Sequence, residues 1–440
     1  AAVFGTAILG SNPSAPAKLM KKISYNFNSF FSFLKKKFFP FYREKEIKKI
    51  FRILEKNEVP KKDIAMFVGG CVRKYLSGCN IDDIDIACAL TPQKIKEKFE
   101  GSNFKIIDTG IKHGTITILG KKKYEITTLR KDIKTDGRHA VVEYTHDWKE
   151  DSNRRDFTFN AIYLKKNGEI FDPQSGVLDL KNKIVKFIGD PSKRIEEDYL
   201  RIIRFLRFSM FYDSQIDPQT IKIIKLNLDG IKNLSKERIL LELDKILELE
   251  NFIKILKNKD LKEIFSLIFP ELKYLERLEK IKKIDDQISI DKDIILSTIL
   301  IDQSSNHEYF CHKYKTSNLM KNKLNLIAKY FFTACEDKSF FEQNIKANTY
   351  FLGKNFLINL IIILYFSNKI KYLVVLKKID EIKRLKIPKF NYDGKYLLKK
   401  GFKEGKNLGV ILEKLEKKWL NNNFILTDSE IEKITRQFKN

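Results

Sequence analysis

The stretch FVGGCVRKYLSGCNIDDIDIACALT, residues 67–91, decides how the rest of this chain is read. It opens as an apolar strand, breaks at Gly69-Gly70, runs on through a helix-like segment, and enters a second strand carrying Asp83 and Asp85. Side chains alternate along a strand, so the two carboxylates share one face while Ile84 and Ile86 share the other. Two like charges on one face repel, which calls for a cation between them. A glycine turn able to approach a phosphate, beside such a pair, points to metal-dependent chemistry on a nucleotide. Taken alone, two aspartates spaced this way also fit a solvated edge strand, and for so short a motif that is the commoner case.

The whole chain narrows the choice. Its 440 residues allow roughly two to four domains. The balance of 84 basic against 57 acidic residues, a formal +27, attracts polyanions. Nucleic acid is the first candidate and an anionic membrane surface the second. Part of the Lys excess accompanies abundant Ile, Asn and Phe, the set that AT-rich coding produces. The five cysteines (Cys71, Cys79, Cys88, Cys311, Cys335) form no C-x-x-C pair. That scatter argues against a disulfide framework or a structural zinc site and fits a reducing, cytoplasmic setting. Cys311-His312 lacks further ligands at tetrahedral spacing and reads as packing. The most apolar run, Phe356 to Phe366, is 11 residues long and holds Asn359, too short for a membrane span.

Composition shifts suggest the organisation. Residues 1–19 are rich in small residues, Pro and Ser, and read as a tag or leader ahead of Met20. Residues 20–42 alternate Phe clusters with Lys, a hook onto the next domain or a weak surface anchor. From 43 to 190 strands and helices alternate: a helix over Arg43–Lys56, a strand ending at Val68, a helix capped by Thr91-Pro92, and strands at 104–107, 115–119 and 124–128. This is a mixed α/β head. Beyond Pro191 only helical periodicity remains, with helices expected over Arg194–Tyr212, Lys236–Leu256, Leu261–Ile268, Ile294–Ile301, Leu324–Phe332 and Phe356–Tyr365. At the C-terminus Gly401, Gly405 and Gly409 punctuate two helices, the second with Ile411, Leu412, Leu415 and Trp419 on an apolar stripe.

Four further stretches carry chemistry. His113-Gly114-Thr115 precedes a strand holding Glu125, a third carboxylate that would complete a metal cage if it lies near the first two. The polar segment Thr128 to Asn153, with Gly137, lacks periodicity and reads as a long functional connection. Adjacent Arg154 and Arg155, followed by Asp156, suit a triphosphate or ribose through charge-assisted bonds, although a surface charge cluster looks the same. Finally Asp198, Arg201, Arg204 and Arg207 step by three along a helix among apolar neighbours, so some of them project into a polar cleft or onto a solvated stripe. An Asp beside an Arg offers one acceptor and one donor fork. That pair matches the edge of cytosine or adenine and rejects the opposite polarity of G and U.

In order, GGCVR, DIDIA, HGT, EITTLR, RRDFTFNA, DPQSGVLDL and EEDYLRIIRFLRF resemble the class II tRNA nucleotidyltransferase and bacterial poly(A) polymerase family across residues 67–212. The resemblance implies a polymerase-β-like nucleotidyltransferase head (43–190), α+β with a mixed sheet, followed by an all-helical neck (191–256), body (257–345) and RNA-binding tail (346–440). It implies Asp83 and Asp85 as Mg²⁺-binding catalytic carboxylates, with Glu125 the third acid. Gly69, Gly70 and Arg73 become triphosphate contacts, and Arg154, Asp156 and Asn160 ribose and phosphate contacts. Asp198, Arg201, Arg204 and Arg207 become the protein template that selects the incoming base, and the segment from Thr128 to Asn153 the element that helps switch from C to A. The reaction implied is addition of C, C and A to tRNA 3′ ends from CTP and ATP, with poly(A) addition as the alternative. No protein partner follows from the motifs. Two departures stand out: Lys74 where the family usually has Asp, and Ser175 in place of a second glycine.

Overall fold

The computed structural model describes residues 40–59, 63–108, 110–111, 114–135, 140–284 and 288–438. The expectations for 1–39, His113 and Gly137 lie outside them. The chain divides into two compact units, on either side of the Ile268–Phe269 bond.

In the first unit α1 (Lys45–Glu55) buries Ile47, Ile50, Phe51 and Leu54 along one face, as their spacing predicts. The fully buried β1 (Ala65–Val68) runs into Gly69, whose pairing of φ 69° with ψ −127° only glycine adopts without strain, and α2 (Gly70–Leu76) starts at once. Then come β2 (Ile84–Cys88) and α3 (Pro92–Phe99), whose first turn is capped by the Thr91 hydroxyl accepting from the Lys94 amide at 3.4 Å. Strands β3 (Lys105–Ile107), β4 (Thr115–Leu119) and β5 (Lys123–Thr128) follow, with the inner residues of β4 and β5 alternating buried and half-buried. Next are β6 (Arg130–Thr135), β7 (Ala140–Tyr144), α4 (Trp148–Asn153), β8 (Tyr163–Leu164), β9 (Ile170–Phe171) and α5 (Gly176–Lys181). The main sheet has seven strands in the order β3-β4-β5-β2-β1-β8-β9. Its one parallel pairing, β2 with β5, makes it mixed.

The segment from Thr128 to Asn153 is not an unstructured connection. Strands β6 and β7 pair with each other as a separate antiparallel ribbon, and α4 follows, capped by Asp147. A two-stranded ribbon outside the main sheet imposes no apolar alternation on its sequence, so the sequence carried no period to read.

Helices complete the unit: α6 (Pro191–Glu197), α7 (Leu200–Tyr212), α8 (Pro218–Leu226), α9 (Lys236–Leu247) and α10 (Lys259–Ile268). Two expected helices are therefore broken. The stretch Arg194–Tyr212 is interrupted at Asp198, whose backbone is extended (φ −159°, ψ 102°). Its carboxylate accepts from the Leu200 amide at 3.2 Å and so starts α7 afresh, a side-chain bond that competes with the helix. The Tyr199 ring packs over Gly230, where a β-carbon would fall 2.0 Å from it. Likewise Lys236–Leu256 ends at Leu247, and a 3₁₀ segment over Phe252–Lys257 follows.

The second unit contains only helices among its described elements: α11 (Lys292–Leu300), α12 (Asn306–Tyr314), α13 (Asn318–Glu336), α14 (Ile345–Leu352), α15 (Lys354–Phe366), α16 (Tyr372–Arg384), α17 (Gly394–Lys399), α18 (Lys406–Asn421) and α19 (Asp428–Arg436), with a 3₁₀ segment at Leu275–Lys283. The apolar run at 356–366 is the buried part of α15, and no single described helix is long and apolar enough to cross a membrane. Ile411, Leu415 and Trp419 are buried along α18 as the stripe predicts, but Gly409 lies inside that helix.

Candidate active site

Parallel pairing places Asp85 of β2 directly beside Glu125 of β5, so both carboxylates leave the same face of the sheet. Asp83 precedes the strand by one residue and is exposed, while Ile84 and Ile86 are buried behind the pair. The glycine turn passes over Asp85: β-carbons built on Gly69 and Gly70 would sit 3.6 and 3.7 Å from its Oδ2. Burial, then the charges of Glu125 and Asp83, push the Asp85 carboxyl above its ordinary value; Arg155 and the Gly70 amide pull it back. Glu125 is itself ion-paired with Lys123. Among the described residues no three His, Cys, Asp or Glu side chains close on one point to hold an ion unaided. Asp83 and Asp85 nonetheless fit a divalent cation that shares its remaining positions with substrate oxygens. Both are hard oxygen donors, and their surplus negative charge is partly buried.

A second group is wired together by hydrogen bonds. Arg73, on α2, donates through Nη1 to Asn160 Oδ1. Asn160 Nδ2 donates to Asp156 Oδ1 at 2.8 Å, and Asp156 Oδ2 accepts from Arg204 Nε of α7 at 2.7 Å. The chain Arg73–Asn160–Asp156–Arg204 thus joins the glycine turn to the helices. Burial alone would raise the Asp156 carboxyl, but Arg204, Asn160 and the Phe157 amide outweigh it and hold the group at about 2.

Reasoning from sequence missed Asp151. This fully buried carboxylate on α4 organises the arginine pair. Its Oδ1 accepts from Arg154 Nε at 2.8 Å and from the Arg130 amide at 3.4 Å. Its Oδ2 accepts from Arg155 at 2.9 Å and from the Tyr163 hydroxyl at 2.7 Å. Burial works against its charge, yet Arg155 and Arg154 together keep it well below the usual carboxylate range. The signal was present: an acid three and four residues ahead of two arginines is the spacing at which helical neighbours pair.

The expected helical stripe is neither continuous nor solvated. Asp198 sits in the break before α7 and pairs with Arg238 of α9 at 2.7 Å. Arg201 is buried, pairs with Glu197 and donates to the carbonyls of Arg194 and, at 3.4 Å, Arg154. Arg207 bonds to the buried Glu242 at 2.7 Å. As for the two departures, Lys74 forms an ion pair with Asp82 at 3.0 Å, and Ser175 takes the left-handed conformation (φ 56°).

Known proteins match this chain. Residues 65–186 match the family described as Poly A polymerase head domain, and residues 214–275 that described as Probable RNA and SrmB- binding site of polymerase A. Over 378 residues the chain is 32% identical to CCA tRNA nucleotidyltransferase 1, mitochondrial, of Danio rerio, spanning 82% of this chain and 85% of that protein. The chain belongs to the CCA tRNA nucleotidyltransferase family. The Homo sapiens protein of the same name is 33% identical over 381 residues, covering 82% of this chain and 84% of that one. The CCA-adding enzyme of Lactobacillus helveticus (strain DPC 4571) is 32% identical over 391 residues, covering 84% and 92%. The fold is that of the solved Bacillus stearothermophilus CCA-adding enzyme in complex with CTP, with a TM-score of 0.65 at 22% identity over 89% of this chain and 96% of that one. The chain is a nucleotidyltransferase of a family that generally uses a divalent metal, and the thirteen residues expected to bind metal or nucleotide all lie in the unit ending at Ile268.

Proposed function

We propose that the chain completes tRNA 3′ ends, adding C, C and A from CTP and ATP without a nucleic-acid template. The observation that carries this reading is the glycine turn that packs over Asp85 and, through α2, delivers Arg73 into the Arg73–Asn160–Asp156–Arg204 chain. The metal-binding acids and the triphosphate-holding Arg73 are thereby built on one segment. The names of the relatives support CCA addition, and the likeness of this fold to solved CCA-adding enzymes bound to CTP and to ATP agrees with it.

In this reading the terminal 3′-oxygen of the RNA attacks the α-phosphorus of the nucleotide, the bond to the β-phosphate breaks, and pyrophosphate leaves. Asp83 and Asp85 would hold Mg²⁺, which when bound eases loss of the hydroxyl proton and offsets charge on the phosphates. Glu125, paired with Lys123, lies beside Asp85 on the neighbouring strand as the third acid. Arg73 donates to the triphosphate, with Gly69 and Gly70 letting the backbone approach, and Arg154, Asp156 and Asn160 face ribose and phosphate. Asp198 accepts from the amino group of C or A while Arg201 donates to the ring. The partners these two now hold, Arg238 and Glu197, exchange for the base when it arrives. Arg204 and Arg207 hold the reading pair in place through Asp156 and Glu242. We place the enzyme in the cytoplasm, where its cysteines remain free thiols.

A tRNA lacking its CCA end, incubated with CTP alone, ATP alone and both, tests the proposal. Two C additions, one A and then termination are expected. Long tails from ATP alone would instead make the chain a poly(A) polymerase, and no extension at all sinks both readings.

A further inference from the structure

We propose that Phe208 is a positioning residue that holds the Arg73 guanidinium in place through its ring face and leaves that charge uncancelled for the phosphates. This rests on the reading of Arg73 as a triphosphate contact. Three guanidinium groups crowd the one ring: Arg207 lies 4.1 Å, Arg73 4.7 Å and Arg204 5.8 Å from its centroid. They oppose one another. Burial, and behind it the charges of Arg204 and Arg73, press the Arg207 guanidinium below its ordinary value despite Glu242. The nearby carboxylates are committed elsewhere, Asp156 to Arg204 and Glu242 to Arg207.

Arg73 differs from its two neighbours. Among the described residues its partners are neutral: the Asn160 side-chain oxygen and the rings of Phe208 and Phe159, the latter 5.7 Å away. A carboxylate would fix the guanidinium and cancel its charge together. An aromatic face attracts a cation through its quadrupole and leaves the full unit charge in place. The ring is firmly seated, only 3% exposed and near-perpendicular to Phe157 (5.5 Å, 80°) and Phe159 (5.1 Å, 75°). Phe208 thus does for Arg73 what an acid would do sterically, without the electrostatic loss.

Fluorination separates this role from plain packing, because each fluorine weakens the ring quadrupole while nearly preserving its volume. Mono-, tri- and pentafluorophenylalanine would be placed at position 208 of the full chain. CTP and ATP dissociation constants would be read by calorimetry beside KM, kcat and Tm. Affinity is expected to fall stepwise with fluorine count, by about three- to thirtyfold at the pentafluoro step, with kcat moving less. The same series at Phe205, buried and stacked on Phe187, should leave affinity unchanged. A flat series at 208, or one that follows Tm instead of fluorine count, overturns the proposal. If Arg73→Ala weakens CTP binding while the series is flat, Phe208 alone loses its role. If the unmodified chain binds CTP but extends no tRNA, the activity reading fails while the calorimetric series still decides the role of Phe208. Absence of CTP binding by the unmodified chain overturns both.

Discussion

Asp156 and Arg204, 48 residues apart in sequence, meet at 2.7 Å through Nε and 2.6 Å through Nη2, so the segment entering the sheet is locked to helix α7 by a two-pronged charge-assisted contact. Because Asp156 is held at about 2 in the folded protein, its pairing contributes stability above the unfolded carboxyl value and loses it as pH falls through the folded one. The expected contribution is roughly 2 kcal/mol, lost between about pH 4 and pH 2. Urea titrations across that range should show Asp156→Asn with a flatter pH dependence than the parent. Equal slopes would mean the carboxylate is not charged by its partner.

At Asp85 the sign is reversed. Burial and the charge of Glu125 raise its carboxyl, so at neutral pH the fold works against the ionised form. Asp85→Asn should therefore match or slightly exceed the parent in Tm while nucleotide addition falls by about a thousandfold or more. A variant that both melts early and keeps its turnover would contradict this account on each count.

Ser175 carries a β-carbon in the left-handed region, at the entry to α5. Relieving that strain with Ser175→Gly should stabilise the protein by about 1 kcal/mol. The neighbouring Gly176→Ala should do the opposite, since its β-carbon would fall 2.2 Å from the Thr158 carbonyl oxygen, in the turn that bears Asn160. Differential scanning calorimetry of the two variants checks the pair; a shift of the same sign in both would refute the assignment.

Asp151 holds two arginines, a tyrosine and the start of the ribbon at once. Asp151→Asn keeps the shape but leaves Arg154 and Arg155 without their anion. A loss of about 3 kcal/mol is expected, together with a rise of about tenfold in KM for both nucleotides. Unchanged KM in a destabilised variant would confine Asp151 to a structural part.

What the sequence disclosed followed from local physics. The ends of β4 matched because TITIL alternates strictly, α1 because its apolar residues recur on one face, and α3 because Thr91-Pro92 is both cap and first turn. The residues that escaped depend on partners distant in the chain. Only the strand order sets Glu125 beside Asp85, and only the Tyr199 contact with Gly230 and the Asp198 bond to Leu200 reveal that the arginine helix is broken. The thirteen positions taken from motifs all lie among the described residues of the first unit, but their pairings, which decide what each can do at rest, were not legible. Asp151 was hidden differently: its spacing to the arginines was visible, but its complete burial was not.

The extended residue between α6 and α7, proposed above to read the base, bears on how such a reader can change over generations. In an unbroken helix two residues three positions apart are fixed at about 300° around the axis and 4.5 Å along it, so altering their relation means rewinding buried turns. At Asp198 that linkage is loosened: Arg201 belongs to the packed helix, while the Asp198 backbone is extended and its carboxylate turns to Arg238 and to the Leu200 amide. A lineage, or a laboratory library, that varies position 198 therefore forfeits the bond that starts α7 and the pair with Arg238, but need not rewind buried turns. On the proposed reading of Asp198 as a base contact, a change of preference there is met at the start of the helix and not in the turns packed behind it.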